Sequence, residues 1–362
     1  MSTTSSALWQ RIQASGLTTL AVMGMTKNTG KTVALNHLLA QAAASRINVG
    51  VTSIGRDGED RDQVFFVPKP PVRVWPGTLV ATARHTLARA KVRYKLIDAS
   101  GIDSPMGEIV VVKVLDHGEM EVAGASRGAD QRNIIARLQQ CGTALVLLDG
   151  ALGRSHHASP AIAAGVILAT GAAIGGGMAD VLRKTRDRLA ILGVAQADEA
   201  VRQLCEPVFA SGGVGLWDPQ GNPLFLAPIP TLNSAPALMK YAQDAIETIA
   251  VSGAVGRSLW RAFVELAAAR PGLTVVVSDG TKLFVEAADL AAFARLGGRL
   301  LADRAIHMTG ITLNPFSPLG GSFDATVFLA AARAAFAGYA VSDVMLQEKI
   351  QDQEESPCPN CI

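Results

Sequence analysis

The sequence predicts an α/β fold: a three-layer, mainly parallel sheet with a β-hairpin insertion and a C-terminal α/β region. The first observation is that short apolar runs, typical of buried strands, alternate with longer helical stretches. The second is composition, because 49% of the 362 residues are hydrophobic and only 18% are charged. This balance is typical of a well-buried globular protein and argues against extensive disorder.

The third observation is a glycine-rich segment that joins an apolar run to a helical stretch. Residues 24–32 read Gly-Met-Thr-Lys-Asn-Thr-Gly-Lys-Thr and resemble the P-loop pattern G-x-x-x-x-G-K-[ST], with five residues instead of four between the two glycines. A strand is predicted before it at 18–23, and a helix after it at 33–44. A strand, a glycine loop and a helix in this order predict a P-loop NTPase-like fold that binds phosphate.

The residue types of this loop suit phosphate binding. Backbone N–H groups and the positive end of the helix dipole would surround the phosphate oxygens. We expect Lys31 to reach the β- and γ-phosphates, and the Thr32 hydroxyl to ligate Mg²⁺. The residues predicted to bind the nucleotide are Gly24, Thr26, Lys27, Asn28, Thr29, Gly30, Lys31, Thr32 and Val33.

Acidic residues that follow other strands are candidates to serve the same site. The strand predicted at 48–54 leads into an acidic loop, where Asp57 and Asp60 could position water or hold Mg²⁺; a solvated loop is the alternative. The apolar run 144–148 ends at Asp149, a Walker B candidate for supporting Mg²⁺. The candidate catalytic residues are thus Lys31, Asp57, Asp60 and Asp149, and the candidate metal ligands are Thr32 and Asp149.

A β-hairpin is predicted from Glu108–Leu115 and Met120–Val122, which flank a polar turn. Before it, a strand at 94–97 leads into a polar loop at 98–107. Asp98, Ser100 and Asp103 in this loop are candidates for contacting Mg²⁺ or a substrate, and a simple turn is the alternative. A helix is also predicted at 80–91, and a strand at 187–194.

The chain is long enough for two domains. We predict a P-loop nucleotide-binding domain at 1–200 and a C-terminal α/β region at 201–362; the irregular, proline-rich segment at 228–236 is a further candidate boundary region. Asp279, Lys282 and Asn314 follow strands of the second region. They are candidates to line a cleft between the halves, and turn formation is the alternative.

Metal-binding patterns are present but incomplete. The terminal Cys358-x-x-Cys361 pair has the spacing of half a zinc site or a redox pair, and an unligated tail is the alternative. His156 and His157 are adjacent, but neighbouring side chains rarely point to the same place, so they also fit an ordinary loop. These four residues are the only hints of a metallochaperone.

Charge and targeting patterns limit the partners. The formal net charge is +2, and no basic patch is interleaved with aromatic residues, which argues against nucleic acid. No secretory signal or membrane-spanning segment is predicted. Four cysteines fit a reducing compartment, so we expect a cytoplasmic protein that acts away from membranes.

The loop at 27–32, with a second lysine four residues before Lys31, and the acidic loop after the second strand resemble the signal-recognition-particle, MinD and BioD class (SIMIBI). That class includes dethiobiotin synthetase and the cobyrinate amidating synthetases. In members with a deviant loop, an extra lysine contacts the phosphates of the neighbouring subunit. Lys27 does not stand at the usual place for that signature. The class allows a homodimer.

A second resemblance covers most of the chain. It is carried by Thr26–Thr32, Ser100–Gly107, Val146–Arg154, Leu168–Ala172, Ser278–Phe284 and Thr312–Pro318. Together these segments resemble a bacterial family, the KamB subunit of the reactivase of B12-dependent lysine 5,6-aminomutase. The resemblance implies an ATP-linked accessory protein that helps to exchange damaged cobalamin on the mutase, together with a second subunit.

Different functions therefore remain open. The first is an ATP-binding accessory protein, an ATPase that couples Mg-ATP binding and hydrolysis to a protein partner. The second is a self-contained ligase or kinase of the dethiobiotin synthetase type, in which Asp98, Ser100, Asp103 and Asn314 contact the substrate. The third is the nucleotide-dependent metallochaperone. No NKxD-type guanine signature is evident, which favours ATP over GTP.

Overall fold

The computed structural model describes residues 6–53, 71–150, 159–241 and 244–346. The chain forms two compact units, of which the first combines Met1–Thr185 with Met308–Ile362 and the second is Arg186–His307. This division differs from the predicted boundary at residue 200, because a strand near the C-terminus returns to the sheet of the first unit.

Strands and helices alternate along most of the described chain. The strands are β1 (Thr19–Gly24), β2 (Val49–Ser53), β3 (Val72–Val74), β4 (Leu79–Ala83), β5 (Tyr94–Ser104), β6 (Gly107–Val114), β7 (Gly118–Met120), β8 (Leu145–Asp149), β9 (Gly165–Gly171), β10 (Val214–Trp217), β11 (Pro223–Ala227), β12 (Thr248–Val251), β13 (Thr274–Val277), β14 (Arg299–Ala302), β15 (Met308–Asn314) and β16 (Val341–Ser342). The helices are α1 (Ala7–Ala14), α2 (Lys31–Ala44), α3 (Gly128–Gln140), α4 (Met178–Leu192), α5 (Glu199–Ser211), α6 (Ala235–Met239), α7 (Arg257–Ala269), α8 (Ala287–Arg295) and α9 (Ala325–Ala335).

The first unit is built on a nine-stranded sheet in the order β16-β15-β9-β1-β8-β2-β4-β6-β5. The pairs from β16 to β4 are all parallel, and β6 is antiparallel to both β4 and β5. The prediction of a mixed α/β fold with a large, mainly parallel sheet is confirmed. Because these strands are parallel, the carboxyl ends of β1, β8, β2, β9 and β15 all lie at one edge of the sheet.

Helices cover both faces of this sheet. Alternate residues of a strand point to opposite faces. Leu20 and Val22 of β1 accordingly pack in one buried cluster with α1 and α2, whereas Ala21 packs in another with α3. The three layers follow from this alternation, which is carried mainly by Val, Leu and Ile.

The insertion is a β-hairpin, but its strands differ from the predicted ones. β5 pairs with β6, and the chain turns between Ser104 and Gly107. β7, which was predicted to pair with the strand at 108–115, pairs with β3 instead. The polar stretch 98–104 is part of β5 and not a loop, because β5 lies at the exposed edge of the sheet, where polar side chains keep their hydration.

The second unit has its own five-stranded sheet in the order β11-β10-β12-β13-β14. β12, β13 and β14 are parallel and are connected through α7 and α8, while β10 and β11 form an antiparallel hairpin. One buried cluster packs residues of α6, α7 and α8 on this sheet, and another packs residues of α5. Among the helices of the described ranges, none is long and apolar enough to cross a membrane.

Candidate functional site

The P-loop segment connects the end of β1 to the start of α2. β1 is buried between β8 and β9, and the Met25 N–H donates to the Ala169 carbonyl at 2.9 Å, which fixes the start of the loop. The loop contains two residues of positive φ, Asn28 at 60° and Gly30 at 87°. Such angles favour glycine and are tolerated by asparagine, so they reverse the chain tightly before the helix begins.

Gly30 is the N-cap of α2, and no side chain of the described residues caps this helix end. The first N–H groups of a helix have no partner within the helix, so they point outward at its N-terminus. Left-handed Gly30 followed by helical Lys31 is also the backbone arrangement of a nest, which aims successive N–H groups at one point. The helix end is thus suited to an anion.

Gly24 is required where the loop folds back over the end of β1. A Cβ atom there would lie 2.7 Å from Thr29 Oγ1 and 2.8 Å from Lys31 Cδ. The Thr29 hydroxyl and the Lys31 ammonium both donate to the Thr26 carbonyl, at 2.9 and 3.3 Å. The Lys31 side chain therefore lies along the inside of the loop, which is where a phosphate-binding lysine is needed.

Asp149 lies beside the P-loop strand. It ends β8, the direct neighbour of β1, and is in register with Val22 and with Ser53 of β2. Its exposure is only 2%, and Thr32 at the start of α2 is also buried. A carboxylate and a hydroxyl are oxygen ligands of the kind that Mg²⁺ prefers. The residues present at the loop therefore suit a magnesium–phosphate group.

Two glycines outside the predicted set of site residues allow neighbouring strand ends to approach closely beside the loop. The Gly150 N–H donates to the Val22 carbonyl at 3.1 Å, and a Cβ at Gly150 would lie 2.7 Å from that oxygen. A Cβ at Gly171 would lie 2.0 Å from the Asn314 carbonyl oxygen. The position of Gly150, directly after a strand-ending aspartate, is a signal that could have been used.

Asn314 contacts the P-loop from the last residue of β15. Its Nδ2 donates to the Asn28 carbonyl at 2.7 Å, and its Oδ1 accepts from the Phe316 N–H at 3.2 Å. A Cβ at Gly30 would lie 3.2 Å from the Asn314 Cβ. The Asn314 side chain thus joins the P-loop backbone to the loop that follows β15.

Other predicted substrate residues lie far from the P-loop. Asp98, Ser100 and Asp103 are on β5, which is five strand positions from β1, or about 24 Å at the usual strand spacing. Asp98 Oδ2 accepts from Arg137 at 2.6 Å, and the Ser100 hydroxyl donates to the Ile109 carbonyl at 2.6 Å. Asp98 and Ser100 thus have structural roles within the hairpin region.

Several candidates are not part of one described site. Asp57, Asp60, His156, His157, Cys358 and Cys361 lie outside the described residues. Asp279 and Lys282 belong to the second unit, whereas Asn314 belongs to the first. Asp279 caps a short turn by accepting from the Thr281 N–H and hydroxyl, in agreement with its turn-forming alternative. Across the described ranges, no three His, Cys, Asp or Glu residues are grouped to hold a metal ion.

Comparison with known proteins adds no assignment to this geometry. No protein-family model, curated protein or solved structure matches the chain. Evidence for a function therefore comes from residues 24–32 and their neighbours.

Proposed function

We propose that this chain binds Mg-ATP at residues 24–33 and hydrolyses it to change the state of a protein partner in the cytoplasm. The observation that carries the proposal is the N-terminus of α2, which follows left-handed Gly30, is capped by no described side chain and is lined by Lys31. Backbone N–H groups, a helix dipole and an ammonium group converge there, and all three favour phosphate.

Each residue near the loop has a role in this proposal. Lys31 exchanges the Thr26 carbonyl for phosphate oxygens, and Thr32 and Asp149 hold Mg²⁺. The metal neutralises charge that builds up on the phosphates. Asp57 or Asp60 positions the attacking water. Asn314 keeps the loop in shape by holding the Asn28 carbonyl. Catalysis of this kind depends on positioning and on electrostatic stabilisation.

The proposed partner comes from the resemblance of the sequence to the KamB family. A B12-dependent aminomutase, acting with a second reactivase subunit, would be the protein whose state changes. A self-contained ligase has less support, because Asp98, Ser100 and Asp103 are about 24 Å from the strand that carries the P-loop.

Isothermal titration with Mg-ATP and Mg-GTP tests the proposal. We expect saturable binding of ATP and weaker binding of GTP. Lys31→Ala should raise the dissociation constant about tenfold or more, because a charge-assisted contact to phosphate is lost. Lys91→Ala is the matched control, since Lys91 is an exposed lysine paired with Glu119. Its affinity should equal that of the wild type.

Either of two results would contradict the proposal. One is the absence of binding of both nucleotides to the folded wild-type protein. The other is an equal effect of the Lys31 and Lys91 substitutions on affinity, which would show that nucleotide binding does not depend on the P-loop. If ATP binds, hydrolysis in the presence of candidate partners is the next measurement, with Asp149→Asn expected to lower its rate.

A further inference from the structure

β5 is an unusually long strand, and one of its two sides has no neighbour among the described strands. It is eleven residues long and pairs there only with β6, at one edge of the nine-stranded sheet. Strands average five to six residues, and a long open edge is a template for pairing with another chain. The opposite edge is β16, which is only two residues long.

The first half of β5 also exposes apolar side chains. Tyr94, Leu96 and Ile97 are 38%, 48% and 40% exposed. Leu115 is 48% exposed and is tied to the same region, because its N–H donates to the Arg93 carbonyl. Apolar residues on an open edge gain free energy when a second strand covers them.

A register irregularity gives this edge a particular charge pattern. Lys95 pairs with Lys113, whereas Asp98 pairs with Val111, so the register shifts between Leu96 and Asp98. Residues three apart in a regular strand point to opposite faces. Because of the shift, Lys95 and Asp98 both lie on the face of the sheet that α3 covers, where Arg137 of α3 binds Asp98.

The charges on this face are unbalanced within one chain. Lys95 lies directly opposite exposed Lys113, and like charges in that position are destabilising. A carboxylate placed beside Lys95 from outside would relieve this repulsion. The edge thus favours a partner strand that carries an acid opposite Lys95.

We propose that β5 pairs antiparallel with β5 of a second copy of this chain, around a two-fold axis between Leu96 and Ile97. In this register Lys95 faces Asp98 of the other copy, and Leu96 faces Ile97. Tyr94 faces Ala99, and both lie on the α2 side because they pair with Val114 and Val110. The faces match only because of the irregularity at Ile97. The proposal is independent of the nucleotide site.

Sedimentation of the full-length protein over a wide range of concentration tests this pairing. We expect a monomer–dimer equilibrium in the wild type. Lys95→Asp places two acids opposite each other twice per dimer, so the dissociation constant should rise about tenfold or more. Lys240→Asp is the matched control, because it makes the same charge change at an exposed lysine of the second unit, away from β5, and it should keep the dimer. Circular dichroism checks that both variants are folded.

Hydrogen exchange gives a second readout that needs no substitution. The amides of residues 94–99 that point away from β6 should become more protected as the protein concentration rises, while those of β16 should not change. A wild type that stays monomeric at every concentration would overturn the proposal. So would a dimer that Lys95→Asp leaves intact, since that dimer would use another surface.

Discussion

At the residue scale, the two cysteines in the described part of the chain differ in what surrounds their thiols. Cys141 is exposed, whereas Cys205 is buried on α5. Burial, with the negative charge of Asp303 as a smaller contribution, raises the pKa of Cys205 to about 12. Because the thiolate is the reactive form, these surroundings make Cys205 inert.

We expect iodoacetamide to modify Cys141 in the native protein and to leave Cys205 unmodified. Raising the pH to about 10 should not change this order, because a thiol with a pKa of about 12 is still almost wholly protonated there. Peptide mass spectrometry resolves each cysteine separately. Denaturant is the control, since it should expose Cys205. Rapid modification of Cys205 in the native protein would contradict the burial of its thiol.

At the element scale, the joint between β1 and α2 depends on the left-handed conformation of Gly30. Gly142, just after α3, has nearly the same φ, at 90° against 87°. Unlike Gly30, it has open space where a side chain would begin, because no described atom beyond its chain neighbours lies within 4 Å of the place that a Cβ would take. Substitutions at these two glycines therefore distinguish the effect of backbone strain from the effect of crowding at the loop.

Gly30→Ala and Gly142→Ala should each lower stability by about 1–2 kcal/mol, the usual cost of a left-handed non-glycine residue. Only Gly30→Ala should also weaken Mg-ATP binding, since its new Cβ would lie 3.2 Å from the Asn314 Cβ. Thermal unfolding and titration calorimetry measure the two effects. Equal affinities of both variants would show that the crowding at Gly30 does not matter.

Local sequence pattern was sufficient for the strand and the helix that flank the loop. The predicted strand at 18–23 is β1, and the predicted helix at 33–44 is α2. The helix predicted at 80–91 is wrong. Val80 to Ala83 belong to the fully buried strand β4, and a short 3₁₀ helix follows. Position in the middle of the sheet outweighed the helical preference of an alanine-rich segment.

A second failure concerns 187–194, which was predicted as a strand but lies largely in α4. Its apolar residues occur without a clear period of two, and an apolar run of this length fits either element. The candidate site shows the same limit of prediction from local sequence. Loop residues 24–32 follow from a local pattern, whereas the contact of Asn314 with Asn28 spans 286 residues and leaves no local signal.

At the scale of the whole molecule, the second unit is one continuous segment inserted before the last strands of the first. Its ends run side by side, because the Ala197 N–H donates to the Ala302 carbonyl and the Ala302 N–H to the Ala195 carbonyl, each at 2.8 Å. It has its own sheet and its own buried clusters. These are the properties of a domain that can fold alone.

We expect a fragment of residues 186–307 to fold and to unfold cooperatively in urea, as monitored by circular dichroism. A fragment of residues 201–362, cut at the boundary that the sequence predicted, is the control. It would separate β15 from its neighbour β9 and expose apolar surface, so it should aggregate. A disordered 186–307 fragment would contradict the division into two units.

The contact between Asn28 and Asn314 also has a consequence for biosynthesis. The loop at 24–32 leaves the ribosome before the strand that supports it, because Asn314 is made 286 residues after Asn28. At usual elongation rates this delay lasts roughly 15–60 seconds. A chain that terminates early, or that is still being translated, would carry residues 24–32 without the contact from Asn314. The nucleotide binding that we propose would then reach full affinity only after synthesis has passed residue 314.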